Sequence, residues 1–90
     1  MRILLSNDDG IEAVGLAALE RAMAPLGEVW TVAPATEQSA KSHSFTMYEP
    51  LRVNQVGPRR FSVSGTPADA VYLALHGLLS ERPHLVVSGI

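Results

Sequence analysis

The sequence predicts an α/β fold built on a mostly parallel sheet, and three observations carry that prediction. The short apolar runs "RILLS" (2–6), "EVWTVAP" (28–34) and "HLVVSGI" (84–90) read as core strands. Two longer stretches between them switch to helical spacing. The order strand, helix, strand makes a βαβ unit, whose right-handed crossover lays the strands parallel and brings their C-terminal ends to one edge.

In chain order, "RILLS" stops at the turn formers Asn7, Asp8, Asp9 and Gly10. A helix follows over "GLAALERAMAPLG" (15–27), with Leu16, Leu19, Met23 and Leu26 on one face and Glu20 and Arg21 off it. Pro25 closes the regular helix near Ala24, and Gly27 supplies the stop. After the second strand comes a polar loop, "ATEQSAKSHS" (35–44), rising from the same edge as Asp8 and Asp9.

The middle changes character. "FTMY" (45–48), "LRVNQV" (51–56) and "FSVS" (61–64) are short strand-like runs, the last two joined by "GPRR" (57–60). A hairpin with a four-residue loop is expected there, at the edge of the sheet. A second helix begins in "GTPADAVYLALHGLLS" (65–80). Thr66 is its expected N-cap, Pro67 suits the first helical position, and Asp69 lies near the positive end of the dipole. Val71, Ala74, Leu75 and Leu78 form the expected buried stripe. Central parallel strands need both faces covered. The expectation is therefore a Rossmann-like three-layer α/β/α arrangement with a β-hairpin excursion, of which residues 1–90 are the N-terminal part of a single domain.

Composition narrows the function. The 90 residues are 47% hydrophobic and 18% charged, enough apolar material for a core and unlike a disordered chain. The formal charge is −2, which gives no general attraction for duplex nucleic acid or anionic lipid. Cysteine is absent, excluding disulfides and thiolate metal sites. Ile3-Leu4-Leu5 is too short for a signal peptide, and the longest apolar run, Ala70 to Leu75, is too short to span a bilayer. A soluble cytoplasmic protein without membrane contact is expected.

Asp8 and Asp9 are two of only three aspartates in the chain. Along a continuing strand their side chains would point to opposite faces, so a turn is required to bring both carboxylates together. Gly10 is suited to make it. Two ionised carboxylates held close repel and call for a cation, and loop oxygens are what Mg²⁺, Mn²⁺ or Ca²⁺ prefer. Taken alone, "NDDG" reads equally well as a polar turn that caps a helix. Its place at the C-terminal edge of the first core strand, where open α/β sheets bind ligands, favours the cation. Asn7 suits a turn or a contact with an aspartate or substrate oxygen. In the 35–44 loop, Ser39 offers a neutral oxygen ligand, and Lys41, His43 and Ser44 offer groups for an anion such as phosphate, though a lone lysine in a polar loop is commonly just solvated. Gly65-Thr66-Pro67 suits an anion or plain capping, capping being the simpler account. Arg59 and Arg60 read as a solvated hairpin tip, and His76 as a helix-surface residue.

Together these segments resemble the SurE (survival protein E) family of metal-dependent 5′/3′-nucleotidases. The resemblance is carried by "ILLSNDDGI", "VAPATEQSAKSHSFT", "SGTPADAVYLAL" and "PHLVVSGI", in the family's order and spacing, along essentially the whole chain. It implies that Asp8, Asp9 and Ser39 ligate one divalent cation, Mg²⁺ or Mn²⁺. Asn7 would lie close by, and the segment containing Ser42, His43 and Ser44 would border the phosphate pocket with Lys41. The implied activity is hydrolysis of nucleoside 5′- and 3′-monophosphates, with Asp8 and Asp9 at the catalytic centre and a metal-activated water attacking phosphorus. A further asparagine ligand is implied beyond Ile90, so residues 1–90 alone are expected to be inactive and the full-length protein to be a homo-oligomer. Glu12 stands where many members carry His, and His84 where many carry Asp; neither is a proposed ligand.

Two alternatives belong to other classes. A Mg²⁺-binding response-regulator receiver needs a third aspartate at the end of another core strand, but the second strand ends in Ala33-Pro34 and the third in Ser88-Gly89. A non-catalytic nucleotide-binding module is disfavoured because the first loop lacks the glycine spacing of a dinucleotide fingerprint.

Overall fold

The computed structural model describes residues 1–36 and 51–89. The strands are β1 (Arg2–Asn7), β2 (Glu28–Pro34), β3 (Val53–Gly57), β4 (Arg60–Val63) and β5 (Leu85–Gly89). They form one sheet in the order β3-β4-β2-β1-β5. β1 pairs in parallel with both β2 and β5, β4 is parallel to β2, and β3 runs antiparallel to β4 at one edge. The strand-like run at 45–48 lies outside the described residues.

Helix α1 (Val14–Met23) and helix α2 (Pro67–Leu73) cover opposite faces of this sheet. The alternation of β1 shows why. Ile3 and Leu5 pack with Ile11, Leu16 and Ala33 under α1. Leu4 instead joins Val32, Val63, Ala70, Ala74 and Leu79 under α2. Because side chains alternate along a strand, one short apolar run feeds both cores. Trp30 and Phe61 stack on the α2 face, ring centroids 6.2 Å apart.

The expected three-layer α/β/α order is present, and the hairpin does form the sheet's edge. β4 goes further than an excursion, adding a fourth parallel strand beside β2. The hairpin loop is also tighter than expected: Gly57 pairs with Arg60, so only Pro58 and Arg59 make the turn. Two helical details differ as well. Pro25 ends α1 in a 3₁₀ turn, Ala24–Leu26, which turns Leu26 out to solvent. α2 passes into a π turn, Ala74–Leu78, closed by the Leu79 amide on the Ala74 carbonyl. Of the expected stripe, Ala74 is buried with Ala70 beneath it, while Leu75, inside the π turn, is exposed. Among the described residues no helix is long and apolar enough to cross a membrane.

Candidate functional site

All four parallel strands end at the same edge of the sheet, so the segments after Asn7, Pro34 and Val63 leave from one side. Burial changes abruptly there. Asn7 is fully buried, and the next two residues, Asp8 and Asp9, are exposed.

The turn that carries them is held from several directions. Gly10 has φ 107°, a backbone state that a Cβ disfavours. Asn7 Nδ2 donates to the Gly10 carbonyl at 2.9 Å, and the Gly10 amide donates to Asn7 Oδ1 at 3.2 Å. The Ala13 amide donates to the same Gly10 carbonyl at 3.1 Å, and the Ile11 amide donates to the Pro34 carbonyl at 2.7 Å. Asp8 and Asp9 thus project from a peptide fixed on both sides. Among the described residues neither carboxylate has an ion-pair partner. Two unpaired carboxylates on one rigid turn are a donor set suited to a hard divalent cation. No third His, Cys, Asp or Glu joins them among the described residues.

Asn7 is brought to this place, but both ends of its amide are spent on Gly10 and its side chain has no exposed surface. The turn role is the one the geometry displays. Ser39, Lys41, Ser42, His43 and Ser44 lie outside the described residues. Their loop starts from the right edge: the Ala35 amide donates to the Val63 carbonyl at 2.8 Å as the chain leaves β2.

Gly65, Thr66 and Pro67 resolve into a cap. Thr66 Oγ1 accepts from the Asp69 amide at 3.2 Å, and Asp69 Oδ2 accepts from the Thr66 amide at 2.9 Å, a reciprocal capping box. A Cβ on Gly65 would collide with that Asp69 carboxylate and with Leu51. The end of β4 also bears on the receiver alternative. Val63 is followed by Ser64 and Gly65, so this fourth parallel strand supplies no third aspartate either.

Two features escaped the sequence. Arg60 is not a solvated tip residue: its Nε donates to Glu20 Oε2 at 2.9 Å and its Nη2 to the Ile11 carbonyl at 2.8 Å. Treating "GPRR" as a four-residue loop hid this. With a two-residue turn, Arg60 alternates with Phe61 and faces α1. The second is Ser6, whose Oγ is fully buried with no hydrogen-bond partner among the described residues. His76 is the expected helix-surface residue, tilted against Tyr72 at 4.4 Å between ring centroids. An apolar groove of about 500 Å³ runs between α2 and β5, bordered by Pro67, Val71, Tyr72, Leu75 and Ser88.

Comparison with known proteins shows the family and the fold. The family model described as Survival protein SurE matches residues 3–90. The chain is 60% identical over 90 residues to the 5′-nucleotidase SurE of Gemmatimonas aurantiaca, covering 100% of this chain and 36% of that protein. It is 54% identical over 90 residues to the 5′-nucleotidase SurE of Geotalea daltonii, again with 100% and 36% covered. Among solved structures, the SurE protein from Aquifex aeolicus superposes with a TM-score of 0.90 at 41% identity, covering 100% of this chain and 37% of that one. The chain thus spans about a third of the length of the curated relatives it matches.

Proposed function

The chain belongs to the SurE family, and from that premise we propose that it carries part of the active site of a nucleotidase that hydrolyses nucleoside 5′- and 3′-monophosphates with the help of a divalent cation. One observation carries the proposal: Asp8 and Asp9 stand exposed, without an ion-pair partner among the described residues, on a turn clamped at the C-terminal edge of β1. The curated relatives are named 5′-nucleotidases, which supports the substrate class.

In this proposal Asp8 and Asp9 hold one Mg²⁺ or Mn²⁺, with Ser39 as a neutral oxygen ligand. The cation supplies charge to polarise a phosphoryl oxygen and to lower the pKa of a water. The chain's own residues orient it. Asn7 and Gly10 keep both carboxylates in one place, so little reorganisation is needed when negative charge develops on the phosphoryl group. Lys41, Ser42, His43 and Ser44 border the phosphate.

Residues 1–90 are, in the same proposal, the N-terminal part of one α/β domain. The relatives' greater length supports this, as does the surface beside β5. Tyr72 on α2 and Leu75 on the π turn are exposed apolar residues at the groove, and Leu85 and Val86 are exposed on β5.

The decisive experiment measures phosphate release from nucleoside monophosphates by the full-length protein, with Mg²⁺ or Mn²⁺ and after EDTA. Activity is expected only with the cation. Asp8→Asn and Asp9→Asn should each lower turnover by about 10²-fold or more, the scale of losing one preorganised charge-stabilising group, with an unchanged circular dichroism spectrum. Full activity in EDTA, or near-normal rates in both variants, would refute the proposal.

A further inference from the structure

Arg60 connects three elements to the turn that bears the aspartates. It opens β4 and lies opposite Thr31 of β2 in the parallel ladder. Its Nε donates to Glu20 Oε2 of α1 at 2.9 Å, and the same carboxylate oxygen accepts from Thr31 Oγ1 at 2.8 Å. Its Nη2 reaches past them to the Ile11 carbonyl at 2.8 Å. Ile11 is two residues beyond Asp9, its side chain is only 3% exposed, and its amide is already bonded to the Pro34 carbonyl at 2.7 Å. The peptide leaving the aspartates is therefore gripped by β2 on its amide side and by the hairpin on its carbonyl side.

From this geometry we infer that Arg60, held by Glu20, is a positioning residue for the Asp8–Asp9 site. It sets the path of the turn through the Ile11 carbonyl and so the separation and direction of the two carboxylates. The inference rests on the proposal above that these carboxylates hold a divalent cation. Arginine is suited to the task because its planar fork donates in two fixed directions at once, whereas a lysine ammonium is a single point charge on a flexible stem.

A structural ion pair alone makes a different prediction. The Arg60 and Glu20 side chains are 31% and 20% exposed, and partly solvated pairs of this kind contribute little to global stability. Loss of Arg60 should then leave the melting temperature nearly unchanged and do nothing to the site. If Arg60 positions the turn, the effect is local: weaker cation binding and faster opening at Ile11, with the β1 core intact.

The test uses the full-length protein, wild type and with Arg60→Met, Arg60→Lys, Glu20→Gln and Asp8→Asn. Mn²⁺ binding is measured by isothermal titration calorimetry and amide hydrogen exchange is followed residue by residue. Arg60→Met is expected to weaken Mn²⁺ binding by about tenfold, the lower end for loss of a partner that orients a metal ligand. It should also speed exchange at the Ile11 amide, with Leu4 and Leu5 unchanged. Arg60→Lys and Glu20→Gln should fall between it and wild type, and they carry the test if Arg60→Met fails to fold. Wild-type Mn²⁺ affinity and wild-type Ile11 exchange in the Arg60 variants would overturn the inference. If wild type and Asp8→Asn alike bind no Mn²⁺, the cation proposal fails. Exchange at Ile11 then still decides whether Arg60 holds the turn.

Discussion

Asn7 and Gly10 exchange two hydrogen bonds across the two aspartates they flank: Nδ2 to the Gly10 carbonyl at 2.9 Å, and the Gly10 amide back to Oδ1 at 3.2 Å. A side-chain amide offers an NH₂ donor and a carbonyl acceptor side by side on a single planar group. It therefore matches the N–H and C=O of the residue three positions on, and the backbone between them bulges outward. The exposure of Asp8 and Asp9 follows from the burial of Asn7.

That relationship predicts the cost of breaking it. In Asn7→Ala the Gly10 carbonyl keeps the Ala13 amide, but the buried Gly10 amide loses its acceptor. An orphaned buried donor costs about 1–3 kcal/mol. The urea midpoint should fall accordingly, and Asn7→Asp, which sets a buried carboxylate oxygen against the Gly10 carbonyl, should do no better. Equal midpoints for wild type and Asn7→Ala would mean that the clamp does not hold in solution.

Ser6 should behave in the opposite sense. Its hydroxyl is buried without a partner among the described residues, so the folded state bears its desolvation with no bond in return. Ser6→Ala is expected to raise stability by about 1 kcal/mol, and chemical denaturation reads this directly. A clear loss of stability instead would reveal a partner for that hydroxyl.

At the N-terminal ends of β1 and β2, the Trp30 indole donates to Glu28 Oε1 at 2.6 Å and Arg2 Nε to the same oxygen at 2.8 Å. The indole first, and Arg2 after it, hold the Glu28 carboxyl below the usual glutamate range. A carboxylate depressed in the folded state stabilises the fold above its unfolded pKa, about 4.3. That contribution is lost as pH falls through the lower folded value. Carboxyl ¹³C titration should place Glu28 below ordinary glutamates, and Trp30→Phe should move it upward. The stability gap between wild type and Glu28→Gln should close as the solution is acidified through that range. A normal Glu28 titration would contradict this.

The chain order and local chemistry of this protein are legible without coordinates. The 3.6-residue spacing of Leu16, Leu19 and Met23 fixed α1, and Pro25 fixed where its regular part ends. Thr66, Pro67 and Asp69 spelled out a cap that formed as expected. The buried run of β1, the crossover and the arrival of Asp8 and Asp9 at the C-terminal edge of the parallel strands all follow from patterns a few residues long. Only the tertiary structure decided that β4 would join β2 in parallel, that Leu75 would lie exposed, and that Asn7 would be spent on Gly10. It alone brought Arg60 to Ile11, 49 residues away in sequence. The physical reason is range. Periodicity, caps and turns are short-range preferences written into neighbouring residues, whereas a guanidinium finds a distant carbonyl only after the strands have chosen their partners and register.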